Sequence, residues 1–164
     1  SGEYYCGIYT REGRLDTACL RYFNVFGPRQ DPKSQYAAAV PIFISRALRQ
    51  EPITIFGDGE QTRDFIYVKD IVAANVFFAL ESPATGVFNI AYGGKITIND
   101  LARRIIELTG SRSQIVYLPE RAGDVKHSSA AIDKLSAAGF RPGADFDRGL
   151  AETIAYFAAQ EKGA

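Results

Sequence analysis

Methionine and tryptophan are missing from the 164 residues, and the sequence has only two cysteines and one histidine. Cys6 and Cys19 are too few for a disulfide framework or a zinc site, which is typical of a protein from a reducing compartment. With His127 as the one histidine, the sequence argues against a histidine-based catalytic triad and against a multi-histidine metal site.

An excess of charge is also missing, because 19 Lys and Arg balance 19 Asp and Glu and the formal net charge is zero. Proteins that bind nucleic acids or anionic membrane surfaces usually carry a basic excess, so we expect no nucleic-acid and no membrane partner. No apolar run approaches the roughly 18 residues of a membrane span, and no signal-peptide pattern opens the sequence. We therefore expect a cytoplasmic protein.

The length suggests one domain over residues 1–164, long enough to bury about 70% of the surface of the unfolded chain. Helical spacing of apolar residues within 69–81 places Ile71, Val72, Val76, Ala79 and Leu80 on one face, and 97–100 fits a capping box. Strands that alternate with helices indicate an α/β domain. The patterns predict helices over 2–12, 40–48, 69–81, 101–108, 129–138 and 147–160, and strands over 15–23, 53–56, 65–67, 87–91 and 115–118.

Glycine motifs of nucleotide-binding proteins and hydrolases are absent, since neither Gly-x-Gly-x-x-Gly nor Gly-x-x-x-x-Gly-Lys-Ser/Thr nor Gly-x-Ser-x-Gly occurs. Two arginines in loops remain, Arg63 and Arg121, each close to an aspartate. The planar guanidinium fork suits phosphate, and a nearby carboxylate can accept a hydrogen bond from a ribose hydroxyl. An ordinary surface pair of arginine and aspartate fits the same spacing.

Asn24 directly follows a predicted strand. It is either a polar group at the carboxyl end of that strand, where α/β sheets bind ligands, or an asparagine that caps a loop. The residues alone are therefore compatible with an α/β domain that binds an anionic ligand, and they do not identify the ligand.

Four segments together resemble one family, the extended short-chain dehydrogenases/reductases that act as nucleotide-sugar epimerases and dehydratases. LRYFNVFGPRQ at 20–30 resembles the family's RYFNVYGPRQ stretch, and IFGDGEQTRDFIYVKD at 55–70 resembles a second family segment. RAGDV at 121–125 resembles RPGDV, and 140–156 follows the closing pattern of the family. The segments keep the family order over nearly the whole chain.

The resemblance implies the C-terminal part of an extended Rossmann-type fold, with the last strands of the parallel sheet and the small substrate-binding subdomain. The N-terminal dinucleotide-binding half would be absent. The motifs are most similar to those of UDP-glucose and UDP-N-acetylglucosamine 4-epimerases, which use NAD to oxidise C4 of the sugar and reduce it again on the other face. A nucleotide-sugar 4,6-dehydratase or decarboxylase of the same family is an alternative, as is a non-catalytic nucleotide-sugar-binding module.

The family's binding residues can be carried over position by position. The resemblance implies that Asn24, Arg63 and Arg121 contact the diphosphate of a UDP-sugar. By the same resemblance Asp124 holds the ribose, backbone groups around Thr54 and Phe56 face the base, and Tyr22 and Phe23 lie beside the nicotinamide pocket.

The sequence departs from the family pattern at two places. An asparagine that often precedes the helix at 40–48 in galactose-type epimerases is replaced by Ala38 or Ala39. At the second place, Ala130 and Ala131 stand where the family has an Ala-Asp pair, so that carboxylate is missing. Ser128 is small where a bulky aromatic residue narrows the sugar pocket, which implies room for a 2-acetamido group. Alternatively, Ser128 caps the helix that follows.

No tyrosine of the sequence has a lysine four positions later, so the Tyr-x-x-x-Lys pair that carries acid–base chemistry in the family is absent. The opening GEYY at 2–5 resembles the segment just after that pair. We therefore expect about half of an enzyme, inactive and without bound NAD on its own. Strands that would join the missing half predict self-association of this chain, and the family implies a homodimer for the full enzyme.

Overall fold

The protein has the predicted α/β architecture. A computed structural model describes residues 1–32, 38–121, 123 and 125–162. The elements in chain order are α1 (Gly2–Arg11), β1 (Ala18–Tyr22), β2 (Val25–Phe26), α2 (Ala39–Leu48), β3 (Ile53–Phe56), β4 (Thr62–Arg63), β5 (Ile66–Tyr67), α3 (Val68–Leu80), β6 (Gly86–Ile90), β7 (Ile96–Thr97), α4 (Ile98–Thr109), β8 (Ile115–Leu118), β9 (His127–Ser128), α5 (Asp133–Ala137) and α6 (Phe146–Lys162).

Parallel pairing joins strands that lie far apart in the sequence. β1 pairs with β6, β2 with β5 and β3 with β8, all in parallel. β4 lies between β7, which is antiparallel to it, and β9, which is parallel. Since parallel neighbours need a crossover connection, the intervening helices are required by this pairing.

Two hydrophobic clusters fill the interior. The larger one joins α2, β3, α4 and α6 with Phe26 of β2, and the smaller one joins β1, β6, α3 and α5. Members of the larger cluster with no exposed surface are Val40, Ile44, Ala47, Ile53, Leu101, Ala102, Ile105 and Leu150. Because Ile53 and Ile55 point into this cluster, the side chains of Thr54 and Phe56 point to the opposite face of β3.

The capping signals of α4 are confirmed. The hydroxyl of Thr97 accepts a hydrogen bond of 3.0 Å from the backbone N–H of Asp100. At the other end Gly110 adopts a left-handed conformation with φ 61°, which glycine adopts without steric cost. Both ends of the helix are therefore fixed by local sequence.

The predicted amphipathic face of α3 is wrong beyond Ile71. Val72 is 58% exposed and Leu80 is 80% exposed, whereas Ile71 and Ala74 are buried. The helix is apolar on more than one side, and the side that packs continues from Ile71 and Ala74 to the aromatic rings of Phe77 and Phe78. The periodicity identified an apolar face of the helix, but the face that packs against the rest of the protein is the adjacent one.

The predicted helix over 129–138 is too long at its start. Residues 129–132 have no regular secondary structure, and residues 127–128 before them form β9. The backbone N–H of Thr62 donates to the carbonyl of Lys126 (3.0 Å), and that of Asp64 donates to the carbonyl of Ser128 (3.1 Å). The helix begins only at Asp133, so the interpretation of Ser128 as its cap is wrong. β1 likewise begins at Ala18 rather than at 15.

Apolar surface is exposed on α1, where none of the residues is buried. Tyr4 is 81% exposed and Tyr5 is 66% exposed. Such a surface is consistent with the predicted self-association, which stays a prediction. In the described ranges, no helix combines the length and the apolar character that crossing a membrane needs.

Gly149 allows α6 to lie against β5. A Cβ atom at this position would lie 2.8 Å from the Cγ atom of the Tyr67 ring. Close by, the Tyr67 hydroxyl donates to Oε2 of Glu152 at 2.8 Å, and Lys69 Nζ lies 2.6 Å from the same oxygen. These contacts attach the C-terminal helix to the segment that carries Arg63.

Gly149→Ala is expected to lower the free energy of unfolding by about 1–2 kcal/mol, because overpacking against Tyr67 outweighs the gain of roughly 1 kcal/mol in helix propensity. Urea denaturation measures the difference. Gly7→Ala in α1 is the matched control, since nothing lies within 4 Å of its added Cβ, and it should be neutral or stabilising. A Gly149→Ala variant as stable as the parent would contradict this packing.

Glu152 is expected to make stability dependent on pH. Its hydrogen bonds to Lys69 and then Tyr67 lower the pKa of Glu152 to about 2 from the ordinary 4.5. A carboxyl with a lowered pKa stabilises the fold above its ordinary pKa, and this contribution is lost as the pH falls towards 2.

The Tm of Glu152→Gln should therefore be lower than that of the parent at pH 7, and the two Tm values should converge between pH 4.5 and pH 2. Glu107→Gln, at an exposed position on α4, is the control. A Tm difference for Glu152→Gln that stays constant over this range would rule out the ionised carboxylate as the cause.

Candidate functional site

A cavity of about 740 Å³ lies between α2, β3 and the loop that follows β1. Its volume is in the range of small-molecule and cofactor sites. The cavity brings together five of the residues that the sequence singles out, namely Asn24, Thr54, Phe56, Arg63 and Arg121.

The strand edge of β3 that faces away from β8 presents backbone groups. The N–H groups of Ile53 and Gly57 donate to the carbonyls of Gln114 and Leu118 beside β8, both at 2.8 Å. Since alternate residues of a strand direct their backbone groups to opposite sides, those of Thr54 and Phe56 point away from β8. Both residues line the cavity, so a donor and an acceptor from the same strand border it.

Gln61 fixes one of these backbone groups. Its side-chain amide donates a hydrogen bond of 2.8 Å to the carbonyl of Phe56. The edge of β3 thus offers the Thr54 carbonyl as an acceptor, followed by the Phe56 N–H as a donor. The same contact holds the loop at 57–61 against the end of the strand.

Arg121 stacks on an aromatic ring. Its guanidinium carbon lies 3.6 Å from the centroid of the Phe56 ring. A stacked guanidinium keeps its N–H donors in its own plane, directed away from the ring. Phe56 therefore orients Arg121 at the border of the cavity through its side chain, while its backbone belongs to the strand edge.

Arg63 is positioned by the short strand β4. Its Nη1 donates to the carbonyl of Thr62 at 2.9 Å, and its neighbour Asp64 is 1% exposed. The carboxylate of Asp64 accepts hydrogen bonds of 3.1 Å from the backbone N–H groups of Tyr92 and Gly93. Burial raises the pKa of the Asp64 carboxyl, and the N–H groups of Gly93 and Tyr92 oppose that rise. Asp64 thereby anchors β4 and the arginine beside it.

Asn24 has the structural role considered for it and also lies at the cavity. Its side-chain amide donates to the carbonyl of Asp64 at 3.0 Å, so it joins two loops, and it also lines the cavity. The backbone of Asn24 has a φ of 31°, in a region that asparagine enters more readily than most residues. The structural role is therefore directly visible, and a role in binding is compatible with its place.

Three of the remaining candidates lie outside the lining of this cavity. The hydroxyl of Tyr22, which is 50% exposed, donates to Oδ1 of Asn75 at 3.0 Å. The backbone N–H of Phe23 donates to the carbonyl of Ile90 at 3.1 Å. Ser128 pairs in register with Arg63. Asp124 lies outside the described residues.

The sequence analysis missed Arg46 as a cavity residue. Ala39, Ile42, Phe43 and Arg46 line the cavity from α2. Their spacing of three or four residues places them on one helix face, and this periodicity is the signal that could have identified Arg46. Ala38 and Ala39 also line the cavity, so the asparagine-to-alanine difference lies at its border.

Known proteins provide independent support for this reading of the fold. A UDP-N-acetylglucosamine 4-epimerase from Methanobrevibacter ruminantium M1, solved with UDP-N-acetylmuramic acid, is 48% identical, with a TM-score of 0.91 over 96% of this chain and 51% of that one. A UDP-glucose 4-epimerase from Thermus thermophilus, solved with NAD, is 34% identical, with a TM-score of 0.82 over 94% of this chain and 50% of that one.

A curated relative catalyses a different reaction. The UDP-N-acetyl-alpha-D-glucosaminuronate decarboxylase of Bacillus cytotoxicus is 34% identical over 94% of this chain and 50% of its own length. The chain thus spans about half the length of the curated relatives and solved structures it matches. The model of the NAD dependent epimerase/dehydratase family matches residues 1–91, which include α1, β1, β3 and the cavity residues Asn24, Thr54 and Arg63. By this match, and by its likeness to solved epimerases along nearly its whole length, the chain belongs to the NAD dependent epimerase/dehydratase family.

Proposed function

We propose that the chain binds a UDP-sugar and forms the substrate-binding, C-terminal part of an NAD-dependent nucleotide-sugar 4-epimerase. The observation that carries the proposal is the cavity, which is lined both by Arg63 and Arg121 and by Thr54 and Phe56 of the β3 edge. A nucleoside diphosphate needs both features, because the base is flat and forms hydrogen bonds along its edge while the diphosphate is anionic.

The base would lie along the edge of β3. The carbonyl of Thr54 accepts from the imide N–H of uracil, and the N–H of Phe56 donates to a neighbouring carbonyl of the base. Two residues of one strand suffice because their backbone groups on this side alternate as acceptor and donor. The apolar residues of α2 that line the cavity, Ile42 and Phe43, provide an apolar wall for the ring.

The diphosphate would lie between Arg63 and Arg121, with Asn24 beside it. Guanidinium groups form paired hydrogen bonds with phosphate oxygens, which fix orientation as well as charge. Stacking on Phe56 already orders Arg121, so less conformational entropy is lost when the ligand binds. Asp124 contacts the ribose in this proposal.

The chain would position the sugar and leave the chemistry to residues outside it. The 164 residues contain neither a Tyr-x-x-x-Lys pair nor a Gly-x-Gly-x-x-Gly loop, so we assign no catalytic residue here and expect no activity from this chain alone. In the full enzyme, bound NAD would supply the hydride chemistry at C4 of the sugar. Holding the diphosphate and the base fixes where the sugar lies relative to the reacting groups, with Tyr22 and Phe23 towards the nicotinamide.

The second candidate function is a nucleotide-sugar 4,6-dehydratase or decarboxylase of the same family. A decarboxylase that acts on a UDP-sugar is 34% identical to this chain over half of its own length, which supports another conversion as the alternative. The residues of this cavity hold the nucleotide and not the reacting carbon, so they fit either reaction. Identification of the products that the full enzyme forms from UDP-N-acetylglucosamine and from the corresponding UDP-sugar with a C6 carboxylate separates the two, because a decarboxylase releases CO2 from the acid whereas an epimer retains every atom of the substrate.

Arg63→Ala and Arg121→Ala are each expected to weaken UDP binding by about 1.5–3 kcal/mol, the range for hydrogen bonds to charged groups. Isothermal titration calorimetry with UDP measures the loss. Arg103→Ala is the control, since Arg103 is an exposed arginine of α4 that pairs with Asp100 at 3.2 Å. UDP affinity unchanged in both cavity variants would contradict the proposed diphosphate site.

Ser128→Tyr is expected to lower the affinity for UDP-N-acetylglucosamine roughly tenfold more than that for UDP-glucose, because a bulky ring beside Arg63 would occupy the room of the acetamido group. Competition binding against UDP measures both affinities. Ser128→Ala keeps the small size and should preserve the ratio of the two. Equal losses for both sugars in Ser128→Tyr would show that this position does not select the 2-substituent.

A further inference from the structure

Arg46 provides a third cation to the cavity, and the family resemblance gives it no role. It lies in the last turns of α2, on the same face as Ala39 and about 10 Å further along the helix axis at 1.5 Å per residue. The cavity follows this face over its length. A ligand of nucleotide size that contacts Arg121 therefore extends towards Arg46.

The two arginines lie at opposite ends of the β3 edge. Only residues 49–52 connect α2 to β3, and the two elements pack together in the larger hydrophobic cluster. So short a connection makes helix and strand run in opposite directions, which places the last turns of α2 beside the first half of β3. Arg46 is thus at the Thr54 end, whereas Arg121 is at the Phe56 end, where it stacks on the ring.

Glu51 holds the guanidinium of Arg46 without using all of its donors. Nη1 of Arg46 lies 3.1 Å from Oε2 of Glu51, and the side chain of Arg46 is 49% exposed. A guanidinium has five N–H donors, of which one carboxylate accepts at most two. The pair therefore orients Arg46 and leaves donor capacity for a ligand.

We propose that Arg46 recognises the nucleobase by donating a hydrogen bond to O4 of uracil, and that it selects uridine over cytidine nucleotides. This inference rests on the proposed UDP-sugar function. The diphosphate at Arg63 and Arg121 places the ribose, and with it O2 of the base, at the Phe56 end. The imide N–H then faces the Thr54 carbonyl, and O4 is left at the end that Arg46 borders.

Cytosine carries an amino group where uracil carries O4, so its N–H donors would meet the N–H donors of Arg46. A site that donates to one polar group disfavours an analogue that presents a donor there, because neither donor is then paired and the positive guanidinium faces the amino hydrogens. Arg46 therefore strengthens the binding of UDP and weakens the binding of CDP.

Calorimetric titration of the intact protein with UDP and with CDP tests this role. Arg46→Met is expected to weaken UDP binding roughly tenfold, the loss of one hydrogen bond from a charged donor, and to leave CDP binding unchanged or stronger. The preference for UDP over CDP should narrow about tenfold or more. Arg46→Gln, whose amide can both donate and accept, should also narrow the preference for UDP over CDP. It is the variant to measure should Arg46→Met not fold.

Arg49→Met is the matched control, because Arg49 follows α2 directly and pairs with Glu161 at 2.7 Å outside the lining of the cavity. It should keep the parent's preference. An unchanged ratio of UDP to CDP affinity in Arg46→Met and Arg46→Gln, with UDP still bound, overturns the role of Arg46 alone. Failure of the parent protein to bind UDP overturns both this role and the proposed function.

Discussion

The parallel pairing of β3 with β8 is the constraint on which the candidate site depends. Pairing uses the backbone groups on one side of β3 and directs those of Thr54 and Phe56 to the other side. The same alternation sends the side chains of Ile53 and Ile55 into the larger cluster and that of Phe56 beneath Arg121. A four-residue strand thus supports the core, borders the cavity and orients a cation, so a shift of one residue in register would lose all three.

The position of Arg63 depends on the buried carboxylate of Asp64. Asp64 has almost no exposed surface, and backbone N–H groups of the 92–93 segment surround it. Burial of a carboxylate is costly unless it accepts hydrogen bonds, so these contacts tie β4 to the end of β6. Asn24 binds the carbonyl of the same residue. The polar groups around Asp64 therefore fix Arg63 and Asn24 relative to each other, which is what a shared diphosphate site would need.

Local signals predicted the elements that local interactions determine. The cap at Thr97 and the glycine at 110 determine α4, and alternating apolar residues determine β3, so both were predicted with nearly correct ends. β4 and β9 have two residues each and exist only because distant segments meet, so no window of sequence contains their cause. The buried side of α3 was mistaken for the same reason, since Val72 and Ile71 are equally apolar and only packing distinguishes them. The residues alone singled out Arg63 and Arg121, and the family motifs gave them a predicted role at a diphosphate.

A sequence shows that an arginine is present but not where its side chain lies in the fold. Spacing to a nearby aspartate describes a surface ion pair and an anion site equally well, because the chemistry of the side chain is the same in both. Arg121 is distinguished by the Phe56 ring beneath it and Arg46 by the helix face it shares with Ala39. Phe56 is far from Arg121 in the sequence, so no local spacing reveals this contact. An arginine binds a ligand selectively when other groups hold its guanidinium in place. The residues that orient an arginine are therefore as informative about function as the arginine itself.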